Sequence, residues 1–268
     1  QNESESFIEI PEESLRENYA PVLYFHPDEQ FFPTTIEAML NESDLREDDL
    51  VFDDLIDEMP VAMGSLGGPG VTGEYFLDMR NASAGLIEAK TNFTLDSFEI
   101  PNSIRFQKYP QTIYGRQESL NDTDVLLQYW FFYPYNNYFN KHEGDWEMIQ
   151  IIFNKAKAEP ASSTFSFHFG GTTIEWDSLE KMNSTHPKVY VTKGGHGSWN
   201  LEGNHPWLQD LSNLREGCTE LIDETASNGT MYSLGQYKIE IINQNTSFVS
   251  FPGKWGELGG KARTGPDS

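Results

Sequence analysis

The sequence predicts a mainly β chain, an antiparallel β-sandwich with helical decoration near the N-terminus. Short runs rich in Ile, Val, Phe and Tyr recur from Ser103 onward, parted by Gly, Asn, Pro and Asp. That spacing is the spacing of packed antiparallel sheets. Within NKHEGDWEMIQIIF, residues 140 to 153, side chains of a strand would alternate so that Asp145, Glu147, Ile149, Ile151 and Phe153 share one face. A hydrophobic content of 37% with 13% aromatics suffices for a real core over 268 residues.

Taken in order, PEESLRENYAP forms a short helix closed by Pro21, and PTTIEAML opens with the Pro and Thr that suit a helix start. In NESDLREDDLVFDDLIDEMP, Leu50, Phe52, Leu55, Ile56 and Met59 follow rough helical spacing, which predicts a solvated acidic surface helix. GSLGGPGVTG lacks the Lys-Ser/Thr ending and flanking elements of a nucleotide-binding loop and reads as a turn. Strands are expected in SIRFQKYPQTIYG, DVLLQYWFFYPY, DWEMIQIIF, STFSFHFGG, PKVYVTKGG, QYKIEII and TSFVSFPG. No repeat or linker interrupts them, so residues 1–268 read as a single β-sandwich domain, with 1–14 as an extended N-terminal arm.

A net formal charge of −24 repels phosphate backbones and excludes nucleic acid as a partner. No apolar run is long enough to cross a bilayer, and a chain starting at Gln1 without a leader reads as a processed, mature form. Sequons at Asn2, Asn41, Asn81, Asn92, Asn121, Asn183, Asn228 and Asn245 exceed chance placement and predict a secreted or cell-surface glycoprotein. The lone Cys218 forbids an intrachain disulfide, which suits an exported prokaryotic or archaeal surface protein; its surroundings mark a buried inert thiol.

Two constellations carry chemistry. His142, Glu143, Asp145 and Glu147 form H-E-x-D-x-E, not the zinc-protease H-E-x-x-H, because Trp146 stands at the fifth position. Carboxylates two residues apart in a strand lie roughly 6.5–7 Å apart at Cα, near enough to converge on one cation or donor. Oxygen ligands with one imidazole suit Mg²⁺, Ca²⁺ or Mn²⁺. A turn at Pro134 can bring Asn136 or Asn137 to the same sheet end. The alternative is that His142 and the acids bond only to backbone and nearby Lys or Arg. The second constellation is VYVTKGGHGSWN, where glycines flank His196 at a strand end. His168 reads as a satisfied sheet histidine and His26 as a turn residue.

YAPVLYFHPDEQFFPTT, YWFFYPYN, HEGDWE, KVYVTKGGHGSW and the terminal FPGKWG…GP resemble, in order, stations of the vacuolar protein sorting-associated protein 62 family over nearly the whole chain. A narrower resemblance is to the necrosis- and ethylene-inducing-peptide-like cytolysins, whose G-H-R-H-D-W-E is similar to K-H-E-G-D-W-E here. That resemblance implies a β-sandwich with a divalent cation at one end, acting on sphingolipid sugar headgroups. His142, Asp145 and Glu147 match its ligand positions, and a further ligand falls near Asn136; Glu143 and Gly144 stand where that family has Arg and His.

Three functions compete. The first is a non-enzymatic protein that binds a glycan or glycolipid beside a Ca²⁺ or Mg²⁺ ion held by His142, Asp145, Glu147 and Asn136. Its ligand contacts would include Glu143, His196 and Trp199, with Trp207 and Tyr138 as further stacking rings. The second is a metal-dependent hydrolase with His196 or Glu143 as general base, although no G-x-S-x-G motif supports one. The third is a subunit of an extracellular filament or array, a homo-oligomer built by strand addition from the N-terminal arm.

Overall fold

The computed structural model describes residues 16–47, 53–67, 70–72, 74–79, 108–138, 141–168, 170–206, 222–256 and 266. The N-terminal arm, Asn2, Asn81, Asn92, Trp207 and Cys218 lie outside them. No described helix is long and apolar enough to cross a membrane.

The largest sheet has six strands: β16 (Lys238–Ile241), β5 (Thr112–Ser119), β6 (Asp124–Asn136), β7 (His142–Asn154), β8 (Glu159–Phe167) and β9 (Gly170–Glu175), in that spatial order. A second sheet runs β10 (Lys181–Met182), β11 (His186–Val191), β1 (Val22–Phe25) and β15 (Met231–Tyr232), with β12 (Ser198–Trp199) also on β11. Pairing is antiparallel except β1 with β11 and β16 with β5. The mainly β sandwich expected from the sequence is what forms, with these two parallel pairings added.

β6 and β7 form a long hairpin because both alternate. Leu127, Tyr129, Phe131, Ile149, Ile151 and Phe153 bury one face against Leu23, Phe25, Val189 and Val191 of the second sheet. The other face is also covered, by Ile36 and Met39 of the short helix α1 (Ile36–Leu40), Leu45, Leu77, Phe251 and Trp255 packing with Phe132. Burial on both sides explains why this hairpin is so rich in aromatics. The first turn of α1 is satisfied from across the core, since the Ile36 N–H donates to the Tyr114 hydroxyl at 2.8 Å. Removing one methylene from the fully buried Ile151 tests the packing: Ile151→Val should cost about 1 kcal/mol in urea unfolding.

Three sequence expectations are corrected. The described parts of the acidic stretch 41–60 are not a surface helix; they supply β2 (Ser43–Glu47) and β3 (Asp54–Asp57), which join β4 (Tyr75–Met79) in a three-stranded sheet, while Leu50 and Phe52 lie outside the described residues. Leu55 and Ile56 are exposed neighbours on β3, so their helical spacing marked no buried stripe. What overrode it was pairing: Arg46 in β2 bonds Asp78 of β4 at 2.7 Å and lies 3.4 Å from Asp44. TSFVSFPG is a run of turns rather than a strand, and its Phe248, Val249 and Phe251 are buried from that irregular backbone. VLYF, between the helix expected to close at Pro21 and the one expected in PTTIEAML and not among the expected strands, is the strand β1.

Candidate functional site

The opening of β7 is where the backbone is most constrained. Gly144 has φ +61°, and a Cβ there would stand 2.1 Å from the Trp255 carbonyl oxygen. Gly256 approaches equally closely, its hypothetical Cβ 2.4 Å from the Glu143 carbonyl oxygen. HEGDWE and FPGKWG are therefore two halves of one contact in which backbones touch without side chains between.

Beyond Gly144 the strand alternates as expected. Asp145 and Glu147 are buried on the same face as Ile149 and Ile151, while Trp146 and Met148 turn the other way. Asp145 pairs with Tyr133 and Glu147 with Phe131 across β6. Asn136, at the end of β6, donates its amide to Asp145 Oδ2 at 2.8 Å and accepts the Tyr138 N–H at 3.0 Å.

The same carboxylate meets His196. That residue, fully buried, sits at φ +59° in the glycine-flanked turn after β11, where its N–H donates to the Thr192 carbonyl at 3.0 Å. Its Nδ1 lies 3.0 Å from Asp145 Oδ2, and its Nε2 is 3.7 Å from Glu29 Oε1. Glu29 accepts N–H groups of Gln30 at 2.8 Å, Phe31 at 2.9 Å and Gly194 at 2.6 Å. Tyr133 lies flat against the imidazole, ring centroids 3.9 Å apart and 1° from parallel.

Electrostatics follow from that arrangement. Burial alone would lower the His196 pKa, but hydrogen bonds to Asp145 and Glu29, with their charges, push it up to about 9. Burial alone would raise Asp145; the His196 bond and the charges of His142 and His196 bring it down to about 2. Glu29 is lowered too, burial being outweighed by His196 and the backbone donors. Glu147 goes the other way: burial and then the Asp145 charge hold its carboxyl well above the usual range, despite the Ser166 hydroxyl donated at 2.5 Å. At neutral pH an imidazolium at His196 lies between the carboxylates of Glu29 and Asp145, and Glu147 is the carboxyl of the cluster biased toward its neutral form.

The sequence-predicted residues thus separate. Asn136, Asp145 and His196 come together, and Glu147 joins them on the same strand face. Glu143 does not, since its side chain accepts the Met79 N–H at 3.3 Å on the side of β4. His142 is buried with Nδ1 against the carbonyls of Glu143 at 3.3 Å and Gly144 at 3.2 Å. Trp199 has both ring faces covered, by Phe167 and His205, each 4.0 Å away, and donates Nε1 to Asp223 at 3.1 Å. His168 is satisfied by the same Asp223 oxygen at 2.7 Å, from a turn after β8 rather than within the sheet.

As placed, the expected ligands do not form a metal cage. Asp145 faces an imidazolium and an amide, Glu147 a hydroxyl, and His142 main-chain carbonyls. Among the described residues, no three His, Cys, Asp or Glu side chains gather in a way that could hold a metal ion. Two members of the networks escaped sequence reasoning. Glu29 lies in FHPDEQFF, where an acid between aromatic runs was the available signal; Asp223, in LIDET, sits next to the acid Glu224 and has no local signal that marks it as the buried one.

No protein-family model matches the chain, so the resemblance to the vacuolar protein sorting-associated protein 62 family is not shown, and no curated protein matches it. Solved structures do. The chain is similar to the necrosis and ethylene inducing protein 2 of the causal agent of cocoa's witches' broom disease: 14% identity, 66% of this chain and 61% of that one, TM-score 0.35. It is similar to NLPPya in complex with glucosamine: 12% identity, 70% of this chain and 65% of that one, TM-score 0.38. It is similar to the non-toxic HaNLP3 protein: 12% identity, 88% and 75% coverage, TM-score 0.43. The chain spans less than two thirds of the first two. At these identities and scores the likeness carries no functional inference, and the function is argued from the chain's own residues.

Proposed function

We propose that the protein is a secreted or cell-surface glycoprotein that binds a glycan or glycolipid headgroup at the sheet end built by Asn136, Asp145 and the turn holding His196, and that it is not an enzyme. The observation that carries this is His196. A general base must be reachable and unprotonated near its working pH. Here the imidazole has no exposed surface, faces a carboxylate from each nitrogen, and stays protonated to about pH 9. Such a group fixes its neighbours and does not take a proton from water. What it fixes is Asp145, which accepts the Asn136 amide; Asn136 in turn accepts the N–H of a half-buried Tyr138 whose hydroxyl donates to the Ile222 carbonyl at 2.8 Å. A rigid carboxylate, an amide and an aromatic ring at a strand end suit a polyol. Export is supported by the sequons at Asn41, Asn121, Asn183, Asn228 and Asn245, whose asparagines are all exposed.

The cation reading has one observation in its favour. Burial and then the charge of Asp145 bias Glu147 toward its neutral form, and a divalent ion between the two carboxyls would relieve both penalties. Calorimetric titration against a panel of glycolipid headgroup sugars tests both readings. Binding should fall at least tenfold in Tyr138→Ala and be indifferent to chelator. Loss in chelator, restored by Ca²⁺ or Mg²⁺, would give the cation reading; no sugar bound, or turnover of a glycoside or phosphoester, would sink the proposal. The filament reading rests on residues 1–14 and is tested by particle size with and without them.

A further inference from the structure

We propose that the open groove on the outer face of β1 and β11 is a second saccharide-binding site, one for a short neutral oligosaccharide. It is built from other residues than the sheet end and stands whether or not that reading does. Leu23, Phe25, Val189 and Val191 point into the core, so Tyr24 and Tyr190, paired in register on the parallel strands, lie on the other face, Tyr24 partly exposed and Tyr190 buried. Their rings stack 5.3 Å apart at 23°. Around them lies a groove of about 510 Å³, lined also by Glu180, Lys188, Leu201 and Glu202. That volume is within the roughly 300–1,000 Å³ of ligand sites and larger than one sugar ring needs.

Its chemistry is that of polyol recognition. Tyr24, partly exposed, and the half-exposed Leu201 offer the apolar surface for the C–H face of a pyranose, while Tyr190 is buried, 4% exposed, and serves by backing the Tyr24 ring and holding Glu180. Glu180 accepts the Tyr190 hydroxyl at 2.9 Å and the Lys188 ammonium at 3.2 Å, which holds that carboxylate in place with acceptor capacity to spare. Glu202 is likewise fixed, accepting the Ser227 N–H at 3.0 Å. The Lys188 ammonium, 5.9 Å from the centre of the Tyr24 ring, is the donor of the set. Two carboxylates against one ammonium, on a chain of net charge −24, disfavour uronates, sulfated sugars and phosphates. The occupant is therefore not an anionic sugar.

The test uses the chain made without N-glycans, because the exposed sequon Asn228 adjoins Ser227 at the groove. Labelled neutral, uronate-bearing and sulfated di- and trisaccharides are titrated against wild type, against Tyr138→Ala, which removes the sheet-end ring, and against Tyr138→Ala carrying Tyr24→Ala or Leu201→Glu as well. Saturable binding of a neutral oligosaccharide to Tyr138→Ala is expected, weakened at least tenfold by either added groove substitution. Leu201 is 50% exposed, so its variant remains readable if Tyr24→Ala fails to fold. Binding to Tyr138→Ala that survives both groove substitutions, that prefers the anionic sugars, or that is absent from the whole panel overturns the proposal. The difference between wild type and Tyr138→Ala reports on the sheet-end site alone, so the two readings fail separately.

Discussion

Replacing Gly144 by alanine is expected to destabilise the protein by about 4 kcal/mol or more, enough to leave much of it unfolded at ordinary temperature. Two costs add. A left-handed φ of +61° penalises any Cβ by roughly 1–2 kcal/mol. The added carbon would also stand 2.1 Å from the Trp255 carbonyl and 2.7 Å from its Cβ, and Trp255 is fully buried against Phe132, Trp146 and Phe251. Backbone cannot yield as a surface side chain can, so the segment at 255 must lift away. Gly64→Ala is the control: nothing lies within 4 Å of its Cβ position, and its unfolding midpoint should match wild type within about 0.5 kcal/mol. A Gly144→Ala protein as stable as that control would show that the two backbones do not touch.

The second large effect is His196→Ala, which should cost about 3–5 kcal/mol, because it strands Glu29 and Asp145 as buried charges without their counterion. Its pH dependence has a definite sign. Asp145 is depressed from 3.8, so its contribution is full above 3.8 and lost as pH falls toward about 2. His196 is raised from 6.5, so its contribution is full below 6.5 and lost as pH rises through about 9. Glu147 is raised from 4.5 and acts with His196: the fold favours its neutral form, and that advantage fades as pH climbs above 4.5. Wild type should therefore be most stable on the mildly acidic side of neutrality and weaken toward alkaline pH. In His196→Ala the loss centred between 6.5 and about 9 should vanish. Urea midpoints measured across that range decide it, and an unchanged alkaline slope in the variant would remove His196 from the account.

How much of this the sequence disclosed depends on the range of the interaction. The alternation that put Asp145 and Glu147 on the face of Ile149 and Ile151 is a property of one strand, and it held to the residue. His196 was marked by its glycines, which are a local need of a turn at positive φ. Its partner Glu29 comes from a loop 167 positions earlier, and nothing local in FHPDEQFF says that its carboxylate will be met by Gly194 and His196. Trp199 failed for a related reason: an aromatic at a strand end is legible, but the rings that close over both its faces, Phe167 and His205, arrive from β8 and from β13 (Gly203–Pro206). The acidic stretch misread as a helix is the clearest case. Its spacing was helical, but strand pairing to β4 through Arg46 and Asp78 outweighed it.

The contact between Gly144 and Trp255 also sets a timetable. β1 is made early, yet its partners β11 and β15 come more than 160 and 200 residues later, and the face of β6 and β7 is not closed until Trp255 arrives. At about 5–20 residues per second, a ribosome needs roughly 10–50 s to pass from one to the other. Throughout that interval the nascent chain is a half-built sheet with its apolar side uncovered, dominated by distant pairings that form slowly. Closure of both faces of the hairpin therefore waits on the segment around Trp255, and until that segment docks the apolar side of β6 and β7 is open to wrong partners.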